Sequence, residues 1–127
     1  MSTPSLADQI LMEGVDDWVE FWNIDSLVSA QLEGGQRTDR IAIAVAAVRS
    51  LLDQGLVRMG DVEAGVGFIA WEGAPDEIAR RIGSRWAALL RDPLPGDIGW
   101  LENTERGDAV AKQLRSGLGR ANSDDHT

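Results

Sequence analysis

The sequence contains no cysteine, one histidine and one lysine among its 127 residues. Without cysteine, the chain can form neither a disulfide framework nor a thiolate zinc site. The single histidine, His126, lies close to the C-terminus beside two aspartates, where we expect no framework to hold a metal ion in place. A serine nucleophile would also lack a histidine base within the folded domain. We therefore predict a non-enzymatic protein with no cofactor and no metal.

The sequence also lacks a long apolar run and an early positive charge. Its longest apolar run, from Ile41 to Val48, is much shorter than the roughly 20 residues of a membrane span. The first basic residue is Arg37, so the start has no positive region typical of a signal peptide. We expect a cytoplasmic protein that makes no use of a membrane. Eleven arginines against one lysine indicate a GC-rich, bacterial genome.

Length and composition predict one domain and a short tail. With 127 residues, of which 43% are hydrophobic, the chain can bury one sizeable core but is too short for two ordinary domains. We expect residues 1–115 to form this domain. Glycine and small polar residues dominate residues 116–127, which predicts a flexible C-terminal tail.

The longest helical pattern begins at Arg37. Apolar residues recur at intervals of three and four, which places them on one helix face; they are Ile41, Val45, Val48 and Leu52. Alanines flank this face, so we expect a core helix that is buried on several sides. Thr38 or Asp39 is predicted to cap its start, and Gly55 to adopt the left-handed conformation that ends it.

The remaining patterns predict an α+β domain with about five helices and a small antiparallel sheet of two to three strands. The stretch from Trp18 to Trp22 fits both a helix face and a strand alternation, and we favour a connection that precedes a helix starting near Ile24. The other predicted segments are helices at 5–13, at 75–91 after Pro75 and beyond Thr104, and strands at 56–62, 68–71 and 98–101.

Negative charge is concentrated near the start of the chain. The net charge is −9, and residues 1–35 contain seven acidic residues and no basic residue. Such a field repels phosphates and attracts basic protein surfaces. Two tryptophans alternate with these acids and could pack in the core or contact a partner. The predicted partner-binding residues are Asp16, Asp17, Trp18, Glu20 and Trp22.

The other three tryptophans, Trp71, Trp86 and Trp100, occur within apolar strand or helix patterns. We expect them to pack in the core. The function favoured by charge and composition is binding of a basic protein, as expected of an inhibitor, an immunity protein or an adaptor.

Two segments resemble winged-helix (winged helix-turn-helix) domains of bacterial type. "VRSLLDQGLVRMG" is similar to the end of a recognition helix that runs into the first wing strand. "WLENTERGDAVAKQL" is similar to the returning wing strand and the start of the last helix. With the order of predicted elements, the resemblance covers most of residues 5–115. The chain departs from the family pattern by an inserted helix at 75–91 in the wing region.

The resemblance implies either DNA binding or protein binding, because winged helices serve both purposes. In a DNA-binding transcriptional regulator, the long helix would enter the major groove. The residues implied for that alternative are Arg37, Thr38, Arg40, Arg49 and Arg58. Because the long helix is poor in side chains that read base edges, we favour a basic protein partner over nucleic acid. A homodimer is compatible with both alternatives.

Overall fold

The computed structural model of the protein describes residues 4–15, 17–32 and 35–124, with side chains up to residue 117. Within these residues the chain forms five helices and four strands. In chain order they are α1 (Leu6–Glu13), β1 (Val19–Glu20), α2 (Phe21–Leu32), α3 (Arg37–Asp53), β2 (Val57–Glu63), β3 (Gly67–Ala70), α4 (Pro75–Ala88), β4 (Trp100–Asn103) and α5 (Glu105–Asp124). The predicted α+β class and the number of helices are confirmed.

The sheet has four antiparallel strands in the order β1-β4-β2-β3, so the prediction of two to three strands is wrong. The additional strand is β1, which lies within the stretch whose periodicity fits both a strand and a helix. Val19 points into the core and Glu20 pairs with Trp100, after which α2 begins at once at Phe21. Helix α2 therefore starts three residues before the predicted Ile24.

Both ends of α3 lie close to their predicted positions, but its start is capped differently. Gln36 occupies the cap position without a side-chain hydrogen bond, so the prediction of capping by Thr38 or Asp39 is wrong. Asp39 lies in the first turn, where a carboxylate interacts favourably with the positive end of the helix dipole. Gly55 has a φ of 70°, as predicted for the residue that ends the helix.

Helices α3 and α4 are antiparallel partners. The Arg37 guanidinium at the start of α3 donates to the carbonyl oxygens of Trp86 and Leu89 at the end of α4. At the opposite end, Arg49 forms an ion pair with Asp76 in the first turn of α4. The helix predicted at 75–91 corresponds to α4. It begins at Pro75 as predicted, ends at Ala88 rather than near residue 91, and packs along α3.

The core face of α3 is turned slightly from the predicted one. Ala44, Val48 and Leu51 are fully buried, whereas three of the four predicted residues are only partly buried. The opposite side is open, because Ala42 and Ala46 line a shallow groove of about 840 Å³ between α3 and α4. Helix α3 nevertheless contacts α1, α2, α4 and β2, so it is covered on several sides as predicted and is open along the stripe that includes Ala42 and Ala46.

The last helix is attached to the α3–β2 turn. The Thr104 hydroxyl donates to the carbonyl of Gly55 and accepts from the amide of Gly107, which caps the start of α5. Helix α5 continues to Asp124 and so includes residues that the sequence assigns to the tail. In the described part of the chain, no helix has the length and apolar character needed to span a membrane.

Candidate protein-interaction surface

The two faces of the sheet differ in chemistry. Val19, Leu101 and Met59 lie side by side across three strands, and all three are buried against the helices. The neighbouring residues in each strand point to the opposite, outer face, because successive side chains alternate. Glu20 and Trp100 are register partners on that outer face. The outer face thus brings acidic and aromatic side chains together.

Glu20 is the central acceptor of this face. Its Oε1 accepts a hydrogen bond of 3.0 Å from the indole Nε1 of Trp100. Its Oε2 accepts one of 2.6 Å from the indole Nε1 of Trp22. One carboxylate therefore fixes the orientation of two tryptophans that come from different elements.

A second carboxylate holds Trp18. The indole Nε1 of Trp18 donates to Oε2 of Glu102 at 3.0 Å, and its ring stacks on Phe68 with centroids 6.2 Å apart. Arg58 forms an ion pair with Glu102, and its guanidinium carbon lies 5.5 Å from the centre of the Phe68 ring. These contacts extend the aromatic and acidic face across β4, β2 and β3.

The four predicted partner-binding residues that the structure describes lie together. Asp17, Trp18, Glu20 and Trp22 line one small pocket of about 180 Å³. The side-chain oxygen of Asp17 accepts from the Trp18 amide at 2.8 Å. Trp18 is 38% exposed and Trp22 is 44% exposed, so both are surface residues rather than core residues. Asp16 lies outside the described residues.

Sequence reasoning missed three members of this surface because they come from distant strands. They are Phe68, Trp100 and Glu102. Trp100 was expected in the core but is only half-buried. The alternation of Trp100 with the buried Leu101 was the available signal for its outward direction. We refer to Asp17, Trp18, Glu20, Trp22, Phe68, Trp100 and Glu102 together as the tryptophan–carboxylate surface.

A polar pocket of about 360 Å³ adjoins this surface, lined among others by Trp18, Glu102 and Asp108. Oδ1 of Asp108 is buried and has no hydrogen-bond partner within the described residues. The pocket adds negative charge beside the exposed Trp18 ring, which suits a cationic group. Within the described ranges, no group of three or more histidine, cysteine, aspartate or glutamate residues could hold a metal ion.

The residues implied for DNA binding do not form one surface. Arg37 is engaged by the carbonyls at the end of α4, and Arg40 is held by Asp25 and by the Gly35 carbonyl. Arg58 lies on the outer face of the sheet, whereas α3 packs against the inner face.

The two remaining residues of that set lie on the open side of α3. Thr38 and Arg49 both line the groove toward α4, and Arg49 pairs with Asp53 and Asp76. The set is therefore divided between two sides of the molecule, and most of its positive charge is neutralised locally.

The two other tryptophans have structural roles. Trp86 is buried, as predicted, and meets Phe21 edge to face with ring centroids 5.5 Å apart. Trp71 is only half-buried: Arg81 lies 3.8 Å from its ring centre, and its indole donates to Asp61. Neither ring belongs to the tryptophan–carboxylate surface.

Comparison of the chain with protein-family models, with curated proteins and with solved structures finds no match. The winged-helix resemblance therefore stays a prediction. Evidence about function comes from the geometry and charge of the tryptophan–carboxylate surface.

Proposed function

We propose that this chain is a non-enzymatic, cytoplasmic protein-binding module on a winged-helix-like scaffold, and that its tryptophan–carboxylate surface binds a basic protein partner. The observation that carries this proposal is the pairing of exposed indoles with carboxylates. Trp18 and Trp22 are each more than one-third exposed, yet each donates its Nε1 hydrogen to a glutamate. The rings are held in place, while more than one-third of each side chain stays accessible to a partner.

Fixed aromatic rings favour binding for an energetic reason. Immobilising a flexible side chain at an interface costs about 0.5–1.5 kcal/mol. The hydrogen bonds from Trp22 and Trp100 to Glu20 impose part of that order before a partner arrives. Tryptophan is also enriched among the residues that dominate binding energy in protein interfaces. This surface therefore has the character of a preorganised interface.

The charge of the chain indicates what kind of partner fits. The net charge is −9, and the first 35 residues contain seven acidic residues, among them Asp17 and Glu20, and no basic residue. A field of this sign accelerates association with positive proteins and opposes approach of nucleic acid. Indole faces beside carboxylates also suit arginine, whose guanidinium stacks on aromatic rings and pairs with carboxylates.

A surface of this kind suits a protein that covers a basic site on another protein. Inhibitors and immunity proteins act by such covering, and adaptors use the same contact to recruit their partner. DNA binding by α3 is the alternative function. It has less support, because the arginines implied for it are paired or lie on different sides of the molecule.

The proposal can be tested with a nine-residue peptide of alternating arginine and valine and a matched peptide of alternating glutamate and valine. Binding to the purified chain would be measured by isothermal titration calorimetry at about 50 mM and about 500 mM salt. We expect the basic peptide to bind more tightly and to lose affinity at high salt. Equal affinity for both peptides at low salt would contradict the proposal.

Two variants locate the contact. Trp22→Ala should weaken binding of the basic peptide by about tenfold or more, because it removes an exposed aromatic anchor. Leu90→Ala is the matched control, since Leu90 is 96% exposed and lies after α4, outside the tryptophan–carboxylate surface. A double charge reversal at Asp16 and Asp17 should also weaken binding at low salt. If it leaves the affinity unchanged, the partner binds elsewhere.

A further inference from the structure

Strand β3 is an open edge of the sheet. In the order β1-β4-β2-β3, it pairs with β2 alone, in the register from Gly67 opposite Glu63 to Ala70 opposite Gly60. The other edge is the two-residue strand β1, which continues directly into α2. Among the described strands, β3 is thus the edge with room for another strand.

The backbone geometry shows which groups face the open side. The Trp71 amide donates to the carbonyl of Met59 at 2.7 Å, which directs the polar groups of residue 71 toward β2. Backbone groups alternate in direction along an antiparallel strand, so those of Ile69 also point toward β2. The N–H and C=O groups of Phe68 and Ala70 therefore point outward. In this register the amides of these two residues take no part in the β2–β3 ladder.

The side chains of β3 leave this edge unprotected. Proteins commonly shield a strand edge with lysine, proline, an inward charge or a bulge. Gly67–Ala70 contains neither a charged residue nor a proline, and its pairing with β2 is continuous. Ile69 is 40% exposed, and Val66 just before the strand is 69% exposed. An edge with these properties is suited to pairing with an extended segment.

Charge decides which segment fits. Glu63 and Glu72 flank the edge strand; both are exposed, and neither forms an ion pair within the described residues. A second copy of this chain would bring the same carboxylates close to one another. A basic segment would instead place positive side chains beside them.

The edge is also continuous with the tryptophan–carboxylate surface. Phe68 is a residue of β3, and its ring stacks on that of Trp18. A strand added at about 4.8 Å from β3 would place one side chain directly beside Phe68 on the outer face. An arginine or lysine there can contact the stacked pair of Trp18 and Phe68, beside Arg58, which already contacts the Phe68 ring.

We propose that the basic partner binds through an extended segment that adds a fifth strand to the edge of β3. The N–H and C=O groups of Phe68 and Ala70 pair with the backbone of this segment. Its alternate side chains contact Phe68 and Trp18 on one face and Ile69 on the other. This inference rests on the proposed function and specifies how the partner is held.

The probe is the arginine–valine peptide described above, at about 50 mM salt. Amide hydrogen exchange of the full chain would be followed residue by residue by NMR, with and without peptide. We expect exchange of the Phe68 and Ala70 amides to slow by about tenfold or more at saturation, because only these amides of β3 gain hydrogen bonds. Unchanged exchange at both amides in the peptide-bound chain would overturn strand addition.

Ala70→Pro supplies a second test. Proline at this position removes an outward N–H but no hydrogen bond of the sheet, and proline is tolerated on edge strands in that orientation. Its affinity for the peptide should fall by about tenfold, whereas Ala70→Val, which keeps the N–H, should bind like the original chain. Equal affinity of the proline and valine variants would overturn strand addition.

A backbone-modified peptide gives the same information without altering the protein. N-methylation of alternate residues removes the peptide donors that strand pairing needs, so the methylated peptide should bind at least about tenfold more weakly. Undiminished binding would overturn strand addition.

The outcomes distinguish the two proposals. If the unmodified peptide binds and depends on Trp22 but fails these tests, the protein-binding proposal stands and strand addition fails. If the basic peptide does not bind at low salt, both fail.

Discussion

Glu20 and Trp100 face each other across the β1–β4 pair, and the Trp100 indole donates to the Glu20 carboxylate at 3.0 Å. The two residues are 80 positions apart in the chain. The same carboxylate accepts from Trp22, two residues along the chain. A single glutamate therefore joins the N-terminal acidic segment to the last strand of the sheet and orders the candidate interface.

Replacement of Glu20 should loosen the tryptophans more than it destabilises the fold. Glu20→Ala removes the acceptor of both indoles. Because the rings are partly exposed, water can accept their hydrogen bonds instead. We expect a loss of about 1 kcal/mol in the free energy of unfolding, measured by urea titration. The indole N–H signals of Trp22 and Trp100 should shift toward the values of exposed tryptophan. Glu20→Gln, which keeps one acceptor oxygen, should have a smaller effect on the free energy of unfolding and on the indole signals. Negligible changes of both quantities in both variants would contradict the role of Glu20 as acceptor for the two indoles.

Two glycines of α5 should respond in opposite ways to alanine. A Cβ at Gly107 would overlap with the carbonyl oxygen of Leu56, so Gly107→Ala must separate α5 from the start of β2. We expect a destabilisation of about 1–3 kcal/mol. Gly117 has open space around its Cβ position, so Gly117→Ala should stabilise the helix by about 0.5–1 kcal/mol. Thermal or urea unfolding measures the stability of both variants. Equal changes in the free energy of unfolding would be inconsistent with the close approach of Gly107 to Leu56.

Arg37 should prove to be a structural residue. Its guanidinium donates to the carbonyls of Trp86 and Leu89 and so satisfies the end of α4. Arg37→Ala should lower the free energy of unfolding by about 2 kcal/mol, because it removes charge-assisted hydrogen bonds at a half-buried site. Arg49→Ala is the control: its ion pairs with Asp53 and Asp76 are exposed and contribute at most about 1 kcal/mol. Equal losses in the two variants would contradict this role.

Fluorescence polarisation with a labelled duplex tests the DNA-binding alternative. We expect no binding at about 50 mM salt, since Arg40 and Arg49 of α3 are paired with aspartates and Arg37 is held by backbone carbonyls. Binding that falls steeply with salt and weakens in Arg49→Ala would support a regulator instead. In that case the positive charge on the open side of α3 would contact DNA.

Asp97 should contribute to the acid sensitivity of the protein. Hydrogen bonds from the Arg91 guanidinium and then from the Leu94 amide hold the pKa of Asp97 below its ordinary range. A lowered pKa in the folded state gives stability that is present above the ordinary carboxyl pKa and is lost as the pH falls through the lowered value. Asp97→Asn should therefore flatten the decline of unfolding free energy between about pH 5 and about pH 2.

The effect should be small because the Arg91 side chain is exposed and Asp97 is partly accessible to solvent, so water screens the pair. Glu63→Gln removes the same charge without removing an ion pair in the described part of the chain, so it serves as the control. If both variants follow the same pH profile, the Arg91–Asp97 pair does not stabilise the folded state.

Local sequence signals identified most of the elements correctly. Pro75 and Gly55 are found where a proline at a helix start and a glycine after a helix end were predicted. Such signals act within a few residues, since they depend on backbone conformation and on nearby hydrogen bonds. They could not reveal β1, because two residues hold no periodicity of their own and become a strand only when β4 lies beside them.

The candidate surface also combines residues that the sequence reveals with residues that only strand pairing brings together. Charge and composition were sufficient to single out Asp17, Trp18, Glu20 and Trp22, because an acidic segment with two tryptophans is visible without a fold. Their partners Trp100 and Glu102 could not be inferred from spacing, since they meet these residues only through the pairing of strands, across 80 and 84 positions of the chain.

By itself, the sequence determined the α+β class, the ends of the central helix and the acidic, aromatic character of the N-terminal segment. These properties follow from short-range backbone preferences and from the sum of charges. Only the tertiary structure decided that α4 packs along α3, that Trp18 and Trp22 stand exposed, and that β3 forms the open edge. Each of these depends on which segments lie side by side, and that is set by packing of the whole core.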